Sequence, residues 1–317
     1  VSEASPRKIR VVINRGGGSF GEDKAAQLQP LFEARGIEAK ILAVEPGELD
    51  RHCGEAAEAA GIDALVAAGG DGTISTAAGA VAGTAMPLGI LPLGTLNHFA
   101  RDAGIPLDLE AAVEAIARGR TRAVDVAEVN GRVFINNSAV GMYPRLVRDR
   151  EKQQRHLGRS KKLAMLIAAG RSLWRFSHHR LTLRIAGREA PVETPLLFVG
   201  NNRYETGLLA LGQREAIDRG ELCIYAPLAR SALSFLWIST RAVLGRPDEQ
   251  AEFLTLDGVE SVEIDSPRAR LMVATDGEAQ PMETPLRYRV RAGALKLIVP
   301  EEEKKGDEDS PLLGERG

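Results

Sequence analysis

The residue types that could do chemistry gather at two places far apart in the chain. Gly69, Gly70, Asp71, Gly72 and Thr73 follow the apolar run Ala64 to Ala68. Three glycines around one aspartate let the backbone approach a ligand closely, and free amides at a helix start attract a phosphate oxyanion. A carboxylate among those amides repels phosphate unless a divalent cation or a proton-donating substrate stands beside it. Asp71 therefore implies magnesium, held through water, or general-base work. The alternative is a structural turn in which Asp71 caps a helix. The second place is Ala274 to Glu278, ATDGE. If that stretch stays extended, Asp276 and Glu278 fall on one side, the pairing that phosphorylation of a hydroxyl needs. One carboxylate accepts the hydroxyl proton and the other orients it or holds magnesium. An aspartate-glycine pair is also a common hairpin turn.

Two further turns repeat the outline of the first. Leu88, Ile90 and Leu91 lead into Pro92, Leu93, Gly94 and Thr95, and a short helix carrying Asn97, His98, Phe99 and Arg101 follows. Ile9, Val11, Val12 and Ile13 run into Asn14, Arg15, Gly16, Gly17, Gly18 and Ser19, a further candidate phosphate loop. Periodicity supplies the elements that must position these turns. Thr73 stands where a helix N-cap belongs, Ile74, Ala77, Ala78 and Val81 form one apolar helix face, and Gly83 is its stop. Helices over Glu22 to Ala34 and Leu49 to Ala60, with a strand over Ile37 to Val44, complete an alternation of strand and helix. That alternation predicts an open, mostly parallel α/β sheet whose ligand crevice lies beyond the strands' carboxyl ends, where all three turns converge.

A last helix over Leu109, Ala112, Val113 and Ile116 closes at Gly119, and from Thr121 onward period two takes over. Asn130 and Gly131 suit a type I′ hairpin turn. Leu181, Leu183 and Ile185, then Val262 and Ile264, Leu271 and Val273, Leu286, Tyr288 and Val290, and Leu295, Leu297 and Val299 all alternate. The prediction is a second, β-rich, largely antiparallel and sandwich-like domain, interrupted by helices near Arg145 to Trp174 and Ser231 to Leu244. The expected division is an α/β nucleotide-binding domain at 1–122, a β-rich domain at 123–300, and a disordered charged tail at 301–317.

Forty-one lysines and arginines against 43 acids leave a formal charge of -2, so no basic field argues for nucleic acid. Cys53 and Cys223 match no metal-ligand spacing and favour a reducing compartment; both are read as buried or incidental. The first residues lack an apolar signal core and no run approaches a membrane span, which predicts a cytoplasmic protein, peripheral to membrane at most. Arg145 to Lys162 holds eight basic residues against two acids, followed by Leu163, Leu166, Ile167, Gly170 and Trp174 on one helical face. This is either a patch drawn to anionic lipid or a solvated basic helix beside a core helix. His178 and His179 read as surface residues rather than a zinc site.

GGDGT at Gly69 to Thr73 followed by PLGTLNHFAR at Pro92 to Arg101 resembles the diacylglycerol kinase catalytic family, which includes bacterial lipid kinases and sphingosine kinases. GGDGT alone is shared with NAD kinases; the continuation is specific to the lipid kinases. His98 stands where the family pattern has aspartate, and Arg15 replaces a proline after Asn14. The resemblance implies an active site in a cleft between the two domains, with ATP and Mg2+ as cofactors and a lipid as partner. It implies transfer of the γ-phosphoryl group to the hydroxyl of a diacylglycerol-like lipid, as in phospholipid biosynthesis. Asn14, Gly16, Gly17, Gly18, Gly69, Gly70, Gly72, Thr73, Gly94, Thr95 and Asn97 would hold the nucleotide, with Asp71 meeting magnesium through water. Glu278 would accept the hydroxyl proton, with Asp276 as partner or alternative base. Asn201, ending the strand PLLFVGNN, would position substrate or phosphate, and Asp218, beside Arg219 where a ligand carboxylate is expected, is a weak substitute for a structural metal ligand. Met142 and Tyr143 stand near where sphingoid-specific relatives carry an acid, which disfavours an amine-bearing acceptor. The rival readings are a NAD kinase and a catalytically silent nucleotide or lipid sensor. The sequence carries no sign of oligomeric state.

Overall fold

The computed structural model describes residues 6–16, 22–118, 120–141, 178–204, 214, 216–229, 231–243 and 252–301. Gly17, Gly18, Gly119, Met142, Tyr143, the 145–174 segment and the tail after 301 lie outside them. The first half alternates as expected: β1 (Lys8–Asn14), α1 (Glu22–Glu33), β2 (Glu38–Val44), α2 (Leu49–Ala57), β3 (Ala64–Gly69), α3 (Asp71–Val81), β4 (Leu88–Pro92), α4 (His98–Asp102) and α5 (Leu109–Arg118). β1 lies between β2 and β3, and β3 pairs with β4, all parallel. Every residue of β3 and β4 is buried, because helices cover both faces. Leu28 and Phe32 of α1 pack with Val113 and Ile116 of α5 on one face. Cys53 of α2 and Ile74, Ala77, Ala78 and Val81 of α3 pack on the other. Burying a side chain the size of Ile74 or Val81 contributes about 1.5–3 kcal/mol, so these two pin α3 to the sheet while Ala77 and Ala78 allow its close approach.

The N-cap of α3 is not Thr73. The helix begins at Asp71, directly after Gly70, whose extended backbone (φ -90°, ψ -175°) turns the chain out of β3 in a single residue. That early start turns Thr73 inward, where it is buried.

The second half comprises β5 (Thr121–Val129), β6 (Arg132–Phe134), β7 (Asn137–Gly141), β8 (His179–Ile185), β9 (Arg188–Thr194), β10 (Leu196–Asn201), β11 (Leu222–Pro227), α6 (Ala232–Val243), β12 (Phe253–Val259), β13 (Ser261–Asp265), β14 (Arg270–Thr275), β15 (Glu278–Glu283) and β16 (Leu286–Ile298). Among the described residues β12-β11-β10-β7-β14-β15 form one antiparallel sheet. Its inner face packs on β5, β8, β13 and β16 around Phe134, Val199, Ile224, Ile264, Val273 and Tyr288. The alternating residues of the sequence as far as Val290 are the inward-facing ones, as a sandwich requires, whereas Leu295, Leu297 and Val299 pack with α2 and α3. Asn130 and Gly131 both have positive φ (48° and 83°), as the type I′ turn demands.

β16, read from sequence as part of the β-rich half, does more than close that sandwich. It pairs antiparallel with β5 and β13, and Leu297 lies beside Leu88 of β4. The parallel strands and part of the sandwich are therefore one continuous sheet. The two histidines are also not surface residues: His179 is buried at the start of β8, opposite Thr194, and a His178 ring nitrogen lies 2.6 Å from the Ala229 carbonyl oxygen. No helix among the described residues is long and apolar enough to cross a membrane.

Candidate functional site

The turns after β1, β3 and β4 meet at the carboxyl end of the sheet and hold one another. The Asn14 side-chain amide donates to the Thr73 hydroxyl at 3.0 Å, while its oxygen accepts from the Gly16 amide at 2.8 Å. Leu93 donates its amide to the Gly69 carbonyl. A Cβ built on Gly94 would lie 2.5 Å from the Gly70 Cα. The close approach these two glycines permit is thus to each other. Asn97, in a left-handed conformation (φ 51°), folds its buried side chain back onto its own turn, accepting from the Gly94 amide and donating to the Gly94 carbonyl. Thr95 faces solvent.

Asp71 accepts from the backbone amides of His98 and Phe99, at 3.2 and 3.1 Å. It caps a helix, α4, that begins 27 residues further along the chain. Each oxygen keeps a lone pair, so the half-buried carboxylate retains the hard oxygen donors that suit a magnesium ion. Gly72 is the open position of the first turn. A Cβ there would meet only the Glu278 carboxylate, 3.6 Å away.

Glu278 arrives from the other half of the molecule. Asp276 and Gly277 (φ 46° and 85°) form a tight turn between β14 and β15, so the stretch is not extended and the two carboxylates part company. Asp276 turns inward: its oxygens accept from the Ser75 hydroxyl at 2.5 Å and from the amides of Ile135, Asn136 and Asn137 at 2.8 to 3.1 Å. Burial pushes this carboxyl above the ordinary aspartate range, and those four donors oppose the shift. With four donors on its two oxygens, Asp276 is a strut joining α3 to the corner before β7, and Glu278 is the carboxylate of the turn left accessible. Glu278 points outward, with 58% of its side chain exposed, and meets Arg132 at 2.6 Å. A cavity of about 310 Å³ separates the halves, lined by Gly72, Ser75 and Thr76 of α3 and by Arg132, Thr275 and Glu278 opposite.

The remaining expected residues lie elsewhere. Asn201 is fully buried, and its amide donates to the Asp125 and Ile135 carbonyls, which makes it a structural post rather than a substrate contact. Asp218 is engaged by the Arg122 guanidinium, and the Arg219 backbone amide donates to Asn202. Among the described residues no three acids, histidines or cysteines cluster as a metal site would require. Cys53 and Cys223 are buried and free. Arg132, Ser75 and Arg214 escaped sequence reasoning. The wholly buried Arg214 side chain binds Asp102 at 2.7 Å, the Ile135 and Asn201 carbonyls and the Asn136 side chain, and lies over the Phe99 ring. Its main partner is 112 residues away, so no local pattern could have exposed it.

Parallel strands whose glycine turns face an acidic hairpin of a β-sandwich across a cleft define a diacylglycerol kinase-like fold. A putative diacylglycerol kinase from Bacillus anthracis has it, with a TM-score of 0.73 at 22% identity over 94% of this chain and 99% of that one. Yeast NADH kinase, complexed with NADH, is a more remote fold neighbour, with a TM-score of 0.53 at 13% identity over 98% and 91%. The family model for the diacylglycerol kinase catalytic domain matches residues 8–129. A probable lipid kinase YegS-like protein of Pseudomonas aeruginosa is 34% identical over 270 residues, 82% of each chain. The protein belongs to this lipid kinase family. A diacylglycerol kinase of Bacillus subtilis is 33% identical over 147 residues, 45% of this chain and 48% of that one. Other matches span less of the relative: 58% of an uncharacterized Synechocystis protein and 33% of a probable lipid kinase YegS-like protein of Cronobacter sakazakii.

Proposed function

We propose that the protein transfers the γ-phosphoryl group of ATP to the hydroxyl of a diacylglycerol-like lipid, with Glu278 as the proton acceptor. The single observation that carries this reading is the approach of the Glu278 carboxylate to Gly72 across the cavity. It sets a carboxylate with one uncommitted oxygen opposite the amides that begin α3, the end of a helix that favours a phosphoryl group. The turns after β1, β3 and β4 hold the nucleotide, the phosphates being met by the amides that begin α3 around Gly72, because the Gly16 and Gly94 amides already donate within their own turns, and Asp71 holds magnesium through water. When bound, that ion supplies charge neutralisation. Glu278 takes the hydroxyl proton, the acceptor oxygen bonds to the γ-phosphorus, and the bond to the β-phosphate oxygen breaks to release ADP. A long-chain diacyl acceptor stays in its bilayer, so the protein works at a membrane surface, from the cytoplasmic side.

Radiolabelled ATP, incubated with the protein and either a lipid extract or NAD, tests this directly. Label in the organic phase is the expected result. Label confined to the aqueous dinucleotide would establish a NAD kinase instead, and nucleotide binding with no transfer to either would favour a silent sensor.

A further inference from the structure

Among the described residues lining the cavity Arg132 is the only cation, facing Asp50, Asp276 and Glu278. It is the first residue after the Asn130-Gly131 turn, held opposite Val129 in the hairpin. Its guanidinium spans two anchors on either side of the acidic turn. Nε donates to the Thr275 hydroxyl at 2.9 Å, and a terminal nitrogen donates to Glu278 Oε2 at 2.6 Å. Thr275 is buried, so one end of the span is fixed, whereas the Glu278 side chain is largely exposed and has three torsions to order. With Oε2 occupied, Oε1 is the oxygen left facing Gly72.

We infer that Arg132 is a positioning residue: it selects which oxygen of Glu278 serves as the base and aims it at the phosphoryl site. This rests on the proposed role of Glu278. The planar fork of an arginine reaches Thr275 and Glu278 at once; the single ammonium of a lysine does not.

The test is a double-mutant cycle of Arg132→Gln and Glu278→Gln, with kcat and KM for ATP measured separately on ATP-dependent labelling of a lipid extract. Arg132→Gln should lower kcat about 10- to 100-fold, the effect of misaiming a catalytic group, and leave KM for ATP and the thermal midpoint unchanged. Arg132→Lys should restore only part of the loss, and Thr275→Val should lower kcat by a smaller factor. In the Glu278→Gln background, Arg132→Gln should cost nothing further, because there is no base left to aim. Wild-type kcat in Arg132→Gln, or an equal additional loss in the double variant, overturns the role while leaving the kinase reading intact. A wild-type protein that labels no lipid overturns both.

Discussion

The glycine turns and the acidic hairpin, on opposite walls of one cleft, each divide their residues between architecture and access. In the glycine turns Gly70 and Gly94 are spent on each other, Asn97 on its own loop and Asp71 on α4, which leaves Gly72 as the open position. In the hairpin Asp276 is saturated by four donors and Glu278, two residues on, stands in solvent with one partner. The lesson is that a motif's residue types advertise the chemistry, while local backbone geometry decides which copy of a residue is free to perform it.

The largest expected effect separates the two carboxylates. Glu278→Gln should lower kcat by about 10²- to 10⁴-fold, the usual contribution of a positioned base, without moving the urea midpoint, since an exposed ion pair contributes about 0–1 kcal/mol. A wild-type rate in this variant would break the comparison. Asp276→Asn should do the reverse: an amide cannot accept from all four donors, so stability in urea titration should fall by about 2–4 kcal/mol. The glycines form a second matched pair. Gly94→Ala forces a methyl against the Gly70 backbone and should destabilise by about 1–3 kcal/mol, read by thermal unfolding. Gly72→Ala has room within a helix and should be neutral or stabilising by about 0.5–1 kcal/mol, while obstructing the cavity and lowering turnover. Equal destabilisation by the two would dissolve the distinction.

The last comparison, away from the cleft and seen only at alkaline pH, is between the cores beneath the two walls. Cys53 on α2 and Cys223 on β11 are each pushed up to about 12 by burial, from an ordinary thiol value near 9. A raised thiol contributes full stability below its unfolded pKa and loses it as pH rises toward the folded one. Stability should therefore decline between about pH 9 and 12, by up to about 1.4 kcal/mol per pH unit for each thiol. Cys53→Ala and Cys223→Ala should each flatten part of that decline in calorimetric scans.

Several of these features were legible beforehand. The buried run before Gly69, the stripe on α3 and the Asn130-Gly131 turn follow from periodicity and turn chemistry that act over a few residues. The start of α3 was misread because a serine or threonine signals a cap only where the helix needs a side chain to begin, and Gly70 begins it with backbone alone. The parting of Asp276 and Glu278 was hidden because alternation fails wherever φ turns positive. Arg132 was invisible for a different reason: its anchors lie 143 and 146 residues away, and distance along the chain carries no periodic signature.

The threading of β16 between β4 and β13 has a bearing on how this chain is made. Until Leu295 to Ile298 have left the ribosome, the β4 edge of the parallel sheet stands bare, an invitation to mispairing with other nascent chains. The opening third of the polypeptide therefore depends on the last of the described strands for closure, so truncation after β5 strips β4 and β5 of the strand that covers them.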